Sequence, residues 1–338
     1  MGAPALARTA IPETQAGEDQ DVRHAAAIIA VLLGAASTVR ADDFDQHVPV
    51  RGPGLLQVDL DFGDSVPPEQ VSLEVVSHDA DEVYLSADST GLGGADVKYR
   101  LDQDEQAVRL YGSLSGWLTM FFGGPTVRVR VWVPREFSVA LRTSAGPIRV
   151  EDVTGSIRVR ARNGLIEVTG SQGTARLRSE LGDVRVSEMR GVLNVHAQNG
   201  QVDLAWVEGE VRVTAARGNV EARHVRGRLE ARTDIGEVSL LEVSGPAVVK
   251  SERGSVLANF DGRPGGVLET RNGTVEVSLA DGAGVQLDAH SADGAVELGP
   301  GLRFEGERQS GRAVGRVNGG GEPLRIYSGR GNVRLGRR

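Results

Sequence analysis

The chain has 338 residues, 40% hydrophobic and 25% charged, a globular composition long enough for one large domain or two ordinary ones. Its net charge of −8 argues against a general nucleic-acid binder, and the absence of cysteine removes disulfides, thiolate metal sites, a cysteine nucleophile and a lipidated cysteine. Glycine is abundant (45 residues, about twice the usual ~7% share) while aromatics are only 4%, so turns are many and large core side chains few.

Residues 1–41 read as a signal-peptide region. Ala25 to Ala36 is an unbroken run of small and apolar residues, short for a membrane span but suited to a signal core, and Val39-Arg40-Ala41 offers a cleavage site before Asp42. Glu13, Glu18, Asp19 and Asp21 do not fit a basic leader, which points to a start at Val22, with Val22-Arg23-His24 as the cationic segment. The expectation is export without a transmembrane anchor.

Residues 42–137 are expected to form a β-rich cap or entry segment. Leu56, Val58, Leu60 and Phe62 alternate as a strand does, as do Val127, Val129, Val131 and Val133. The run Trp117 to Phe122 is the most apolar surface candidate.

Residues 138–298 keep a nine-residue period. Thirteen glycines from Gly146 to Gly254 stand nine apart, and the residues two and four places after each are apolar, 26 positions without exception. Spacing i, i+2 places both side chains on one face of a strand, so each unit is a strand plus a glycine bend. The full repeat is eighteen: Val153, Ser171, Met189, Val207, Val225 and Val243, mostly apolar, follow alternate glycines by seven places, whereas the other set has mostly polar residues there, Arg162, Glu180, Gln198, Ala216, Asp234 and Glu252. In that other set the preceding residue is always small, as at Ala161, Ser179, Ala197, Ala215, Thr233 and Ser251, which suits an inward-facing corner. The pattern predicts an all-β parallel β-solenoid, two strand-turn units per 18-residue coil, with a thin aliphatic core lacking room for aromatics. Residues 299–338 read as an irregular glycine-rich segment, with Gly331-Asn-Val333-Arg-Leu335 as the final rung.

The Phe44-Asp-Gln-His-Val-Pro-Val lead-in, the strand Leu56 to Phe62 before Gly63 and the serial G-x-V-x-V units resemble the bacterial "putative adhesin" family. The resemblance implies an exported, non-enzymatic envelope protein with a β-solenoid domain, and supplies no catalytic motif.

Chemistry is sparse. The turns lack the aspartate column of calcium-binding nonapeptide rolls, the histidines are scattered, and Gly112-Ser-Leu-Ser-Gly116 has Leu114 where a nucleophile elbow needs serine. No cofactor or metal site is expected. Glu167, Asp203 and Glu221 fall in one outward column, the arrangement a polysaccharide lyase or hydrolase would need, broken by Arg185. The charge distribution says more. One sheet carries Arg158, Arg160, Arg176, Arg178, Arg212, Arg228, Arg232 and Lys250 against Glu210 and Glu230, while the other carries more acids than bases. This predicts a basic wall for an anionic glycan, lipid headgroups or another envelope component. A self-assembling polymer growing through its terminal coils is the alternative.

Overall fold

The computed structural model describes residues 37–40, 43–63, 66–90, 96–104, 106–115 and 125–338. The apolar run Ala25 to Ala36 and the segment Trp117 to Phe122 lie outside them.

The strands preceding the regular repeat are β1 (Ser37–Arg40), β2 (Asp43–Pro49), β3 (Leu55–Asp61), β4 (Val71–His78), β5 (Glu82–Thr90), β6 (Asp96–Gln103), β7 (Ala107–Ser115) and β8 (Thr126–Pro134). The repeat runs through β9 (Ser138–Ala145), β10 (Ile148–Glu151), β11 (Thr154–Asn163), β12 (Ile166–Thr169), β13 (Gln172–Leu181) and β14 (Val184–Asn199). It continues through β15 (Val202–Arg217), β16 (Val220–Arg226), β17 (Leu229–Ile235), β18 (Val238–Val243), β19 (Ala247–Arg253) and β20 (Val256–Phe260). After these come β21 (Gly266–Asn272), β22 (Val275–Leu279), β23 (Val285–Ser291), β24 (Val296–Leu298), β25 (Phe304–Gln309), β26 (Arg312–Val317), β27 (Glu322–Arg330) and β28 (Val333–Arg337). All join one continuous, mostly parallel sheet wound into a β-solenoid.

The nine-residue period is a backbone demand. Gly182 has φ +144°, and a Cβ there would lie 2.2 Å from the Gly164 carbonyl oxygen. On the other glycine column a Cβ at Gly191, φ +125°, would lie 2.0 Å from the Gly173 oxygen. Dihedral and contact each exclude a side chain, so every coil returns glycine to the same place. Coils then stack in parallel register, Ile157 beside Ala175 and Val159 beside Leu177.

The 26 apolar positions are all buried, none more than 3% exposed. The corner column Val153, Ser171, Met189, Val207, Val225 and Val243 and the small column from Ala161 to Ser251 are buried too. In the small column Ser179 Oγ donates to Gly182 O at 2.8 Å, and at the equivalent place one coil past Ser251 Thr270 Oγ1 donates to Gly254 O at 2.8 Å, whereas the Thr233 and Ser251 hydroxyls are buried without a partner among the described residues. The expectation of a core without aromatics fails at Phe260, which is 1% exposed. It pairs with Val243 across a register shift, so the corner that valine fills in earlier coils is remade there around a ring.

Both ends share one device. The coil β3/β4 lies between β7/β8 and β9/β10, pairing in parallel with each. The outermost coil β7/β8 is then covered by antiparallel strands, β6 on β7 and β5 on β8, with β1 and β2 beyond them. At the other end β27/β28 lies between β21/β22 and β23/β24, and β26 and β25 cover β23 in antiparallel fashion. Gly331-Asn-Val333-Arg-Leu335 is therefore last in the chain but not outermost in the stack. Antiparallel strands carrying Glu305, Glu307 and Arg308 replace an open parallel template, which counters edge-to-edge growth.

One corner has a second left-handed column. Asp152, Gly170, Glu188, Trp206, His224 and Glu242 recur once per coil, with φ between +52° and +65°. Glycine meets this demand at Gly170; the other five positions keep a side chain.

Candidate functional site: an arginine cluster on β9, β11 and β13

Outward side chains on parallel strands form straight columns because the register is fixed and strands lie about 4.8 Å apart. Arg142, Arg160 and Arg178 are direct neighbours in one column, continued by His196. Two residues back along each strand, Arg158 and Arg176 form a second column, continued by Asn194 and Arg212. Arg142, Arg158, Arg160, Arg176 and Arg178 are all exposed and have no hydrogen-bond or ion-pair partner among the described residues. Two shallow concavities adjoin the cluster, one edged by Asn194, His196 and Thr214, the other by Asp59, Asp61 and Glu180.

The eight cations predicted from sequence divide in two. Arg158, Arg160, Arg176 and Arg178 form the cluster. Farther along the solenoid the remaining positions are mostly neutralised: Arg212 Nη2 lies 2.6 Å from Glu210, and Arg232 Nη2 lies 2.7 Å from Glu230. Lys250 Nζ lies 3.2 Å from Glu269, an acid on the next strand that the sequence reading did not include. Arg228 is exposed and unpartnered among the described residues, but stands apart from the cluster just before β17. Arg142 is the member missed by sequence reasoning. It belongs to β9, before the first counted glycine, and its period from Arg160 and Arg178 is the signal that would have found it.

The opposite sheet contrasts. Arg149 Nε is 2.9 Å from Glu167, Arg185 Nε 3.8 Å from Asp203, and Arg223 Nη1 3.1 Å from Glu221. Asp203 also accepts from Gln201 Nε2 at 2.9 Å. The candidate carboxylate column is thus a ladder of ion pairs, with each acid already serving a cation. Among the described residues no group of three or more histidine, aspartate or glutamate side chains could hold a metal, and no helix is long and apolar enough to cross a membrane.

Within each column guanidiniums about 4.8 Å apart repel one another; Asp59, the register neighbour of Arg142, and Asp61 and Glu180 flank the cluster at one side without pairing to it, so its five cations outnumber the acids around them. Planar donors at that spacing suit carboxylate, sulfate or phosphate groups on a ligand running across the strands, along the solenoid axis.

Residues 182–336 match the Toastrack DUF4097 family. A putative cell adhesion protein from Clostridium sporogenes, known from its crystal structure, aligns over 89% of this chain and 100% of its own at 11% identity, with a TM-score of 0.23, too low to carry an argument. No curated protein matches the chain. The match over the glycine-spaced units agrees with the family resemblance those units carry: residues 182–336 of this β-solenoid are similar to the Toastrack DUF4097 family.

Proposed function

We propose that the protein is an exported, non-catalytic binding module that takes an anionic polysaccharide on the arginine cluster of β9, β11 and β13. The observation behind this reading is the contrast in pairing: five neighbouring arginines lack partners among the described residues, while Arg149, Arg185, Arg212, Arg223 and Arg232 each have a carboxylate. A linear polyanion lying along the solenoid axis meets one guanidinium about every 4.8 Å, and the flat sheet needs no rearrangement to receive it. The capped ends weigh against growth by end-to-end stacking, and the neutralised carboxylate ladder weighs against glycan cleavage.

The test is gel retardation in polygalacturonate, with anionic phospholipid vesicles in a parallel arm. Retardation is expected to weaken with salt and to vanish when Arg158, Arg160, Arg176 and Arg178 are changed to Glu. Unchanged retardation of that variant, no retardation of the parent, or binding to vesicles alone overturns the proposal. Export is tested separately, by sequencing the mature N-terminus; a protein that keeps residues 1–21 overturns it. Cleavage before Asp42 would remove β1 and leave β6 as the edge strand.

A further inference from the structure

Trp206 lies far from that cluster, in the corner where the acidic sheet turns into the basic one. Its indole is 56% exposed although no polar requirement holds it outside. It also sits at φ +58°, a left-handed conformation that bulky L residues avoid at a cost of roughly 1–2 kcal/mol. Gly170 shows that glycine serves the same corner. A bulky aromatic at such a place is retained for its side chain rather than for its backbone.

The ring is held as a platform. His224 stacks on one face, centroids 3.8 Å apart and planes within 13°. His224 Nδ1 is 2.8 Å from Glu242 Oε2, and Glu242 is gripped in turn by the Arg338 guanidinium. On the other side Glu188 holds the equivalent corner position of the preceding coil, between the pairs Ser187–Ala205 and Met189–Val207, exposed and without a partner among the described residues. Beside the ring Glu208 is shared by Arg190 Nε at 3.4 Å and Arg226 Nη1 at 3.2 Å; on the side that His224 covers, Arg226, Glu242, Ser244 and Asp261 line a small recess.

We infer that this corner is a second ligand site, taking a pyranose ring of a neutral glycan against Trp206. A pyranose presents an apolar face of C–H groups, which an indole can cover, and a rim of hydroxyls that both donate and accept. Glu188 supplies an unpaired acceptor at the rim, and Arg190 and Arg226, each engaging Glu208 through a single nitrogen and largely exposed, keep further N–H groups to donate. A mixed rim of this kind gives a neutral ligand hydrogen bonds in both directions without committing to a charge. The corner thus differs from the arginine cluster in chemistry and in expected salt dependence.

The experiment is calorimetric titration of the full chain with cellohexaose and chitohexaose, with tetramethylammonium as a control for a cation on the indole face. Binding of at least one oligosaccharide is expected, with little change between low and high salt. It should fall at least tenfold in Trp206→Ala and Trp206→Gly and severalfold in Glu188→Gln, and persist in the variant with Arg158, Arg160, Arg176 and Arg178 changed to Glu. Trp206→Gly is expected to melt no lower than the parent, since glycine relieves the left-handed strain. The inference is overturned if neither sugar binds, if the Trp206 variants bind as the parent does, if only tetramethylammonium binds, or if Trp206→Gly melts substantially lower, which would make the ring structural.

Discussion

Gly331 rests on Gly273: a Cβ at Gly331 would lie 2.3 Å from the Gly273 carbonyl oxygen, and the Gly273 amide donates to the neighbouring Arg330 carbonyl at 2.9 Å. The glycine column passes from Gly273 to Gly331 and then to Gly294, whose own Cβ would lie 2.4 Å from the Gly331 oxygen. Gly331→Ala is therefore expected to loosen the stack on both sides, costing about 2–4 kcal/mol from strain and displaced coils. Gly336→Ala, in open space, is the control and should change stability by under ~0.5 kcal/mol. Chemical denaturation of the two variants checks this.

Within the arginine cluster the effects should be unequal. Arg160→Ala or Arg178→Ala removes an unpaired guanidinium and is expected to weaken polygalacturonate binding about tenfold, in line with ~1.5 kcal/mol or more for a charge-assisted hydrogen bond. Arg212→Ala or Arg232→Ala should cost less than about twofold, because Glu210 and Glu230 already hold those side chains. Retardation measured across the four variants separates them.

The unliganded protein should gain stability with salt, as the repulsion among these arginines is screened over a Debye length of about 10 Å at 0.1 M. Changing Arg160 and Arg178 to Gln is expected to reduce that gain. A melting series in sodium chloride, read for parent and variant, measures it.

Four carboxylates link stability to acid. Hydrogen bonds from Arg337 and Arg338 hold Asp281 and Glu242 below the ordinary carboxylate range. Asp79 is lowered by its bond to Arg135, and Asp104 by the Gln106 amide and then Arg109. A group whose folded pKa is depressed stabilises the fold above its unfolded value, about 4, and loses that contribution as pH falls through the folded value. Stability is thus expected to be level above about pH 5 and to decline below pH 4, with Asp281→Asn flattening part of the decline. Melting temperatures from pH 6 to 2 supply the test; all four groups are solvent-facing, so the individual steps should be small.

Tyr99 carries the opposite dependence. Burial raises its phenol far above the usual tyrosine range, and its hydroxyl is enclosed without a hydrogen-bond partner among the described residues. A raised folded value means stability falls once pH exceeds about 10, where the unfolded chain ionises first. Tyr99→Phe is expected to stabilise the protein by about 1 kcal/mol at neutral pH and to abolish that alkaline loss. Thermal melts at pH 7 and pH 10.5 compare the two.

The coil was legible because its cause is local. Glycine's conformational range and the i, i+2 alternation leave their mark on every nine residues. The order of coils was not legible, since Leu324 and Ile326 on β27 alternate as Leu268 on β21 and Leu287 on β23 do, and nothing in the residues says which neighbour each will choose. Phe260 escaped because its corner differs by a register shift, a property of pairing rather than composition. Of the basic wall, alternation marked which cations face outward. It could not show which have partners, because that depends on the neighbouring coil: Arg212 meets Glu230 across strands, whereas the register neighbours of Arg158 and Arg176 on either side are each other, Ala140 and Asn194.

The inserted coils act as keystones. Among the described residues the outer elements β23 to β26 are held to the body by pairing only through β27/β28, and β5 to β8 by pairing only through β3/β4. Each keystone is thus locked between rungs distant from it in the chain, while the strands outside it, β1 and β2 at one end and β25 at the other, each pair with a single neighbour. During biosynthesis the slot for β27/β28 has to stay open until that rung, which follows β21 to β26 in the chain, has been made. Between the two keystones the rungs are interchangeable modules, so the rod can be lengthened or shortened by whole turns without disturbing either closure.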